Sequence, residues 1–196
     1  MSALDQENIT AIVLCGGKGS RLNGQDKPLI DLEGRRLIDR ICERLRPQVH
    51  QIVISCSRNV AIYEALQLPL AIDKELNTGP LAGLTEAFAL VGTEWALTTP
   101  GDTPFIASDL VKRLAADATT QGLAVPTVRG VRQNLCMLLN AEQRNQLTAF
   151  HNQGGNAVKH WLDDNAFIAT DLSDIEQSFF NVNTQEDLAQ AIAFAA

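Results

Sequence analysis

A glycine-rich segment at residues 14–27 holds the densest set of groups that could bind phosphate. It reads LCGGKGSRLNGQDK and follows an apolar run. Its glycines, Gly16 and Gly17 among them, would let the backbone approach a ligand closely and turn N–H groups toward an anion. Lys18, Arg21 and Lys27 add positive charge to an otherwise acidic chain. The segment is therefore predicted to cradle a polyphosphate.

This segment matches neither of two common phosphate-binding loops. A Walker A loop ends in Gly-Lys-Ser/Thr, and no lysine of this chain precedes serine or threonine. A dinucleotide fingerprint built on Gly17 and Gly19 needs a third glycine at position 22, which is leucine. From the residues alone, a glycine-rich surface turn with solvated charges remains the alternative.

Asp102 is the candidate metal ligand. It follows the apolar run WALTT and stands between Pro100 and Pro104, which restrict the backbone around it. Mg²⁺ in proteins prefers one or two carboxylates together with substrate phosphates. Asp102 is therefore predicted to hold Mg²⁺, and capping of the next turn is the alternative.

Three further polar residues are candidates for ligand binding. Asp73 follows the apolar run PLAI, where it could accept a hydrogen bond from a base or ribose, support the metal through water, or cap a turn. Asn181 and Asn183 alternate in FNVNT. On a strand they would face the same side, which would suit a polar acceptor; capping of the next helix is the alternative.

The elements that must position these residues follow from the hydrophobic pattern. Short apolar runs predict buried strands, namely TAIVLC, QIVIS, PLAID, WALTT, LAVPTV, CMLLN and FIATDL. Amphipathic spacing and caps predict helices over 36–45, from an Asn59 cap to 66, over 81–91, from a Ser108 cap to 118, over 142–150 and 157–162, and over 188–194 after a capping box of Thr184 and Asp187.

Buried strands that alternate with helices predict an α/β fold, with a doubly wound, mostly parallel sheet covered on both faces in three layers. A hairpin around Arg129-Gly130 predicts a small antiparallel addition. Ligands of open α/β sheets bind beyond the carboxyl ends of the strands. The loops after the first four strands should therefore meet at one crevice.

Bulk properties narrow the class of protein. The chain has 196 residues, which suits a single domain, here 1–196, and its net charge of −7 argues against a nucleic-acid partner. We find neither an apolar run of about 20 residues nor a secretory signal, so we expect no membrane span and a cytoplasmic location. The four cysteines lack zinc-site spacing and are expected to be reduced and buried.

Four motifs together carry a family resemblance. LCGGKGSRLNGQDKPL resembles the signature of the molybdenum cofactor guanylyltransferases, and GPLAGL, PGDTPF and FNVNTQEDL are similar to later motifs of that family, in the same order. The resemblance implies a Rossmann-like nucleotidyltransferase fold with a nucleotide-binding part at about 8–120 and an acceptor-binding part at about 121–196. It also implies Mg²⁺-dependent transfer of GMP from GTP to the terminal phosphate of molybdopterin, with release of pyrophosphate.

The resemblance also assigns roles to residues. Catalysis would depend on Arg21, Lys27 and Asp102, with Mg²⁺ on Asp102. The acceptor would lie against Asn181 and Asn183. The nucleotide would contact Leu14, Cys15, Gly16, Gly17, Lys27, Ser55, Asp73 and Asp102. The implied partners are the two substrates and, transiently, other cofactor-biosynthesis proteins or recipient molybdoenzymes.

The chain departs from the family pattern at several positions. Cys15 replaces the usual alanine, Ser55 stands where asparagine is common, and the segment 132–135 replaces a His/Gln-Pro stretch. The alternatives are a cytidylyl- or sugar-1-phosphate nucleotidyltransferase of the same fold and a nucleotide-binding module without turnover. An NAD(P)-dependent oxidoreductase is disfavoured by the incomplete fingerprint.

Overall fold

The structure, a computed structural model, describes residues 4–16, 24–73 and 79–195. The strands are β1 (Ile9–Cys15), β2 (Asp31–Leu32), β3 (Arg35–Arg36), β4 (Gln51–Cys56), β5 (Leu70–Ile72), β6 (Trp95–Pro100), β7 (Leu123–Val128), β8 (Val131–Arg132), β9 (Met137–Asn140) and β10 (Ile168–Asp171). The helices are α1 (Leu37–Leu45), α2 (Val60–Glu64), α3 (Pro80–Phe88), α4 (Leu110–Gln121), α5 (Ala141–Asn152), α6 (Val158–Asp164) and α7 (Gln185–Ala195).

One mixed sheet runs through the chain in the order β10-β7-β9-β6-β1-β4-β5, with β8 paired to β7. Strands β5, β4, β1 and β6 are parallel to one another, whereas β9 runs antiparallel to both β6 and β7. The chain proceeds from β1 to β4 and β5 and then returns to β6 on the other side of β1. This reversal confirms the doubly wound, mostly parallel sheet with an antiparallel addition, and it opens a crevice at the carboxyl ends of β1 and β6.

Helices cover both faces of the sheet because alternate residues of a strand point to opposite sides. In β1, Ile9, Ala11, Val13 and Cys15 pack in a cluster that includes residues of α1, α2 and α4. Ile12 and Leu14 belong to a second cluster with α3, α5 and α6. The apolar run of β1 is therefore buried on both sides.

A third apolar cluster packs the C-terminal segment against the loop that follows β6. Phe105, which follows the PGDTP loop, packs with Val182 and with Ala191 of α7. The Phe194 ring stands edge-on to those of Phe105 and Phe180, at 5.6 and 5.2 Å between centroids. The FNVNT segment is therefore held beside the loop that carries Asp102.

Several local predictions are confirmed. Arg129 and Gly130 form the turn of the β7–β8 hairpin, and both have positive φ (48° and 76°), as a type I′ turn requires. Thr184 and Asp187 form the predicted capping box, in which the Asp187 N–H donates to Thr184 Oγ1 (3.1 Å) and Asp187 Oδ2 accepts from the Thr184 N–H (2.9 Å). All four cysteines are free and buried.

Other local predictions are wrong. Asp109 rather than Ser108 precedes α4, and α3 ends at Phe88 instead of continuing to Val91. Asn59 precedes α2 in a left-handed conformation, and its side chain bonds to Asp26 instead of capping the helix. Residues 180–183 form no strand. The hydrogen bond from Asn59 to Asp26 spans 33 positions of the chain, so the local pattern could not reveal it. In the described residues, no helix has the length and apolar character needed to cross a membrane.

Candidate active site

A cleft of about 450 Å³ opens at the carboxyl ends of β1 and β6. Six of the residues proposed from sequence line it, namely Leu14, Gly16, Lys27, Asp102, Asn181 and Asn183. Of the four loops predicted to meet at one crevice, those after β1 and β6 line this cleft, and no described residue of the loop after β4 does. Ser55, near the end of β4, and Asp73, directly after β5, are also absent from its described lining residues.

Lys27 joins three sequence motifs in the cleft. Its Nζ lies 3.4 Å from Asp102 Oδ2 and also donates to Asn183 Oδ1. The Lys27 and Asp102 side chains are 24% and 19% exposed, so both are largely buried. The cation of the first loop thus faces the carboxylate predicted to hold the metal.

Asp102 is a largely buried carboxylate whose charge is only partly compensated. Burial raises the pKa of Asp102, Lys27 opposes this shift, and the nearby Asp187 charge adds to it. A carboxylate in this state would gain from a divalent cation, so the residue fits a Mg²⁺ site shared with substrate phosphates. The described residues include no cluster of three or more His, Cys, Asp or Glu side chains that could hold an ion by themselves.

The loop carrying Asp102 is fixed against β1 by a close backbone approach. The Gly101 N–H donates to the Leu14 carbonyl (2.9 Å), and the Val182 N–H donates to the Asp102 carbonyl (2.9 Å). A Cβ atom at Gly101 would lie only 2.8 Å from Cγ of Pro28 and 3.0 Å from the Leu14 carbonyl oxygen. The position therefore requires glycine, a constraint that the sequence reading missed.

Lys27 is held by a clamp from the loop between β4 and α2. Arg58 donates to the carbonyls of Gly24 and Gln25, each at 2.9 Å. Asn59 Nδ2 donates to the buried carboxylate of Asp26 (2.9 Å), directly before Lys27. Sequence reasoning gave no role to Arg58 and treated Asn59 as a cap, because neither bond is visible in the local pattern.

Ser55 and Asp73 lie together beside α3. Ser55 is buried, with 3% of its surface exposed, and its hydroxyl donates to the Gly83 carbonyl (2.9 Å). A Cβ atom at Gly83 would lie 2.7 Å from Ser55 Oγ and 3.6 Å from Asp73 Oδ2, so this glycine of GPLAGL lets the helix approach β4 closely. Nucleotide contacts through Ser55 and Asp73 stay predictions.

The remaining residues of the first loop fall into two groups. The Cys15 side chain is completely buried, and burial raises the pKa of its thiol, so a contact to a ligand would have to use the backbone. Gly17 and Arg21, like Lys18, lie outside the described residues, and their predicted roles are untested.

Comparison with known proteins supplies the family. The profile of the MobA-like NTP transferase domain matches residues 11–168. The chain belongs to this family. A molybdenum cofactor guanylyltransferase of Shewanella piezotolerans is 35% identical over 94% of this chain and 94% of its own length. One from Cupriavidus pinatubonensis is 34% identical over 93% and 96%.

Solved structures of low identity support the fold of this family. Molybdopterin-guanine dinucleotide biosynthesis protein A of Archaeoglobus fulgidus is 21% identical, with a TM-score of 0.78 over 95% of this chain and 98% of its own. The 2-C-methyl-D-erythritol 4-phosphate cytidylyltransferase of Thermus thermophilus is 15% identical, with a TM-score of 0.73 over 94% and 97%. The family resemblance stated from sequence is confirmed, and the protein is a nucleotidyltransferase.

Proposed function

We propose that the protein transfers GMP from GTP to the terminal phosphate of molybdopterin, which forms a guanine dinucleotide of the pterin and releases pyrophosphate. The main support is the pairing of Lys27 with Asp102 in one cleft at the point where the strand order reverses. The names of the relatives at 34–35% identity support the choice of guanine and of the pterin acceptor.

In the proposed reaction, an oxygen of the acceptor phosphate attacks the α-phosphorus of GTP. A new P–O bond forms there, and the bond between the α-phosphorus and the bridging oxygen breaks as pyrophosphate leaves with the electron pair. Because the acceptor phosphate is already ionised near pH 7, no protein base is needed. The protein must instead align two anions and offset their charge.

Lys27 would place its charge against the phosphates, and Arg21 of the same loop would add a second. When bound, Mg²⁺ supplies charge neutralisation and a template for phosphate oxygens, and Asp102 would hold it. Asn183 accepts a hydrogen bond from Lys27 and so limits the directions in which the ammonium group can turn.

The two parts of the proposed single domain would divide the substrates. GTP would lie against the part at about 8–120, through Leu14, Cys15, Gly16 and Gly17 and the more distant Ser55 and Asp73. The acceptor would lie against the part at about 121–196, beside Asn181 and Asn183. Contact with other cofactor-biosynthesis proteins or recipient enzymes stays a prediction.

The test is a product assay with a panel of nucleotides. The protein is incubated with molybdopterin, Mg²⁺ and either GTP, CTP, ATP or UTP, and the pterin dinucleotide is identified by its mass. We expect product with GTP, loss of product when Mg²⁺ is chelated, and strongly reduced product with Lys27→Met.

Each alternative gives a different result. Product with CTP in place of GTP would identify a cytidylyltransferase, and product with a sugar-1-phosphate instead of molybdopterin would identify the other sibling activity. Thermal stabilisation by GTP without product would indicate a binding module. A ligand at 100 times its Kd stabilises a protein by about 2.7 kcal/mol, so binding alone is measurable.

A further inference from the structure

The segment 133–136, most of which departs from the family pattern, forms one wall of the cleft. Thr98 and Met137 are neighbours in the antiparallel pairing of β6 with β9, so the residues before β9 emerge at the same edge as Asp102. Gln133, Asn134, Leu135 and Cys136 all line the cleft. They lie on the side of β6 opposite to β1, away from Gly16 and Lys27.

Four hydrogen bonds hold this wall in place. The Cys136 N–H donates to the Gln133 carbonyl (2.9 Å), which closes a tight turn, and the Gln133 N–H donates to the Pro126 carbonyl (2.9 Å). The buried hydroxyl of Thr98 donates to the Leu135 carbonyl (2.9 Å) and accepts from the Met137 N–H (3.1 Å). The backbone of this turn is therefore in place before a ligand binds, which lowers the ordering cost of binding.

Arg132 fixes the orientation of the Asn134 amide. Its Nε donates to Asn134 Oδ1 (2.6 Å) and its Nη2 donates to Asp163 Oδ1 (2.6 Å). The guanidinium also lies over the Phe167 ring, 5.5 Å from the centroid. The hydrogen bond from Arg132 lowers the pKa of Asp163, so this carboxyl group is ionised at neutral pH and accepts from Arg132 as a carboxylate.

These hydrogen bonds leave one donor group and one acceptor group unused on two consecutive residues. Since Asn134 Oδ1 is occupied by Arg132, its Nδ2 presents N–H donors, and Nδ2 has no partner among the described residues. Gln133 Nε2 donates to the Val131 carbonyl (3.2 Å), which leaves Oε1 of Gln133 as an acceptor. Both residues line the cleft.

We propose that Gln133 and Asn134 read the lactam edge of the acceptor's heterocycle, and that Arg132 and Asp163 are positioning residues for Asn134. A lactam edge presents a ring N–H next to a C=O, the complement of this acceptor and donor pair. The inference rests on the proposed function. Guanine carries the same edge, so the experiment separates molybdopterin from GTP; the position beyond β6 assigns the pair to molybdopterin.

The experiment measures binding and turnover separately for wild type and variants. Asn134→Asp keeps the shape and replaces the donors by acceptors, so we expect the Kd and KM for molybdopterin to rise about tenfold or more. The Kd and KM for GTP should stay within twofold. Arg132→Lys should raise the molybdopterin KM by a smaller factor, since lysine cannot bond to Asn134 and Asp163 in the same geometry. Asp163→Asn should also raise this KM by a smaller factor, because it weakens the bond that holds Arg132. In both variants kcat should be nearly unchanged.

Asp174→Asn is the matched control. It breaks the ion pair between Asp174 and Arg113 (2.7 Å). Like the pair of Arg132 and Asp163, this pair is partly exposed, but neither of its residues lines the cleft. Its substrate constants should equal those of the wild type, and thermal melts show whether each variant is folded.

The outcomes distinguish this inference from the proposed function. A wild-type protein that binds molybdopterin but transfers no nucleotide would end the proposed function and leave the inference testable by Kd. Three outcomes would overturn the inference. They are failure of the wild-type protein to bind molybdopterin, an unchanged molybdopterin Kd in Asn134→Asp, and a change in Asn134→Asp that affects only the constants for GTP.

Discussion

Replacement of Gly101 by alanine tests whether a single close backbone approach sets the geometry of the active site. The added Cβ would meet Cγ of Pro28 at 2.8 Å and the Leu14 carbonyl oxygen at 3.0 Å. Leu14 belongs to a central strand, so Pro28 or Gly101 must move. Because Pro28 directly follows Lys27 and Gly101 directly precedes Asp102, either shift changes the distance between the two charges.

The expected magnitudes follow from this crowding. Overpacking of a dense interior costs about 1–3 kcal/mol of unfolding free energy, which corresponds to a Tm lower by about 2–12 °C for a chain of this size. A displacement of reacting groups by about 1 Å costs up to about a hundredfold in rate. We therefore expect Gly101→Ala to remain folded at 25 °C with kcat reduced about 10- to 100-fold.

Denaturant unfolding and steady-state kinetics measure the two effects. Gly92→Ala is the matched control, because a Cβ atom at Gly92 meets no atom within 4 Å. It should leave kcat unchanged and unfolding free energy equal or slightly higher. If Gly101→Ala matched Gly92→Ala in both measurements, the close approach would not constrain the site.

Three further predictions concern charge, positioning and thiol reactivity. Asp102→Asn should lower turnover by about 10²–10³-fold, yet stabilise the ligand-free protein at neutral pH. Burial raises the folded-state pKa of Asp102 above its unfolded-state value, so the wild-type protein loses stability as the pH rises between the two. In thermal melts, the stability advantage of the variant should therefore be smallest below about pH 4 and grow above it. A pH-independent difference in stability would contradict this reasoning. Arg58→Ala should lower kcat about tenfold by releasing the Gly24 and Gln25 carbonyls, with partial rescue by Arg58→Lys, and kinetics equal to wild type would refute the clamp. Burial raises the thiol pKa of Cys42 and Cys56 to about 11 and that of Cys136 to about 12. The native protein should therefore react with a thiol reagent at these residues only on unfolding. Rapid labelling of the native protein would argue against their burial.

The amino-acid sequence by itself determined the features that depend on neighbouring residues. The strand runs, the Arg129-Gly130 turn and the Thr184–Asp187 capping box are local patterns, and each is present in the structure. The family motifs are also local strings. Together they were sufficient to predict the class of fold and the edge of the sheet at which ligands bind.

Only the tertiary structure decided which side chains meet at that edge. Lys27 contacts Asp102 and Asn183 across 75 and 156 positions of the chain, and Arg58 reaches Gly24 across 34. The antiparallel β9 brings Asn134 to the cleft, and Pro28 leaves no room for a Cβ atom at position 101 unless a neighbour moves. These contacts follow from strand order and direction, which hydrophobic periodicity does not encode, because a strand reads the same whichever neighbour it pairs with.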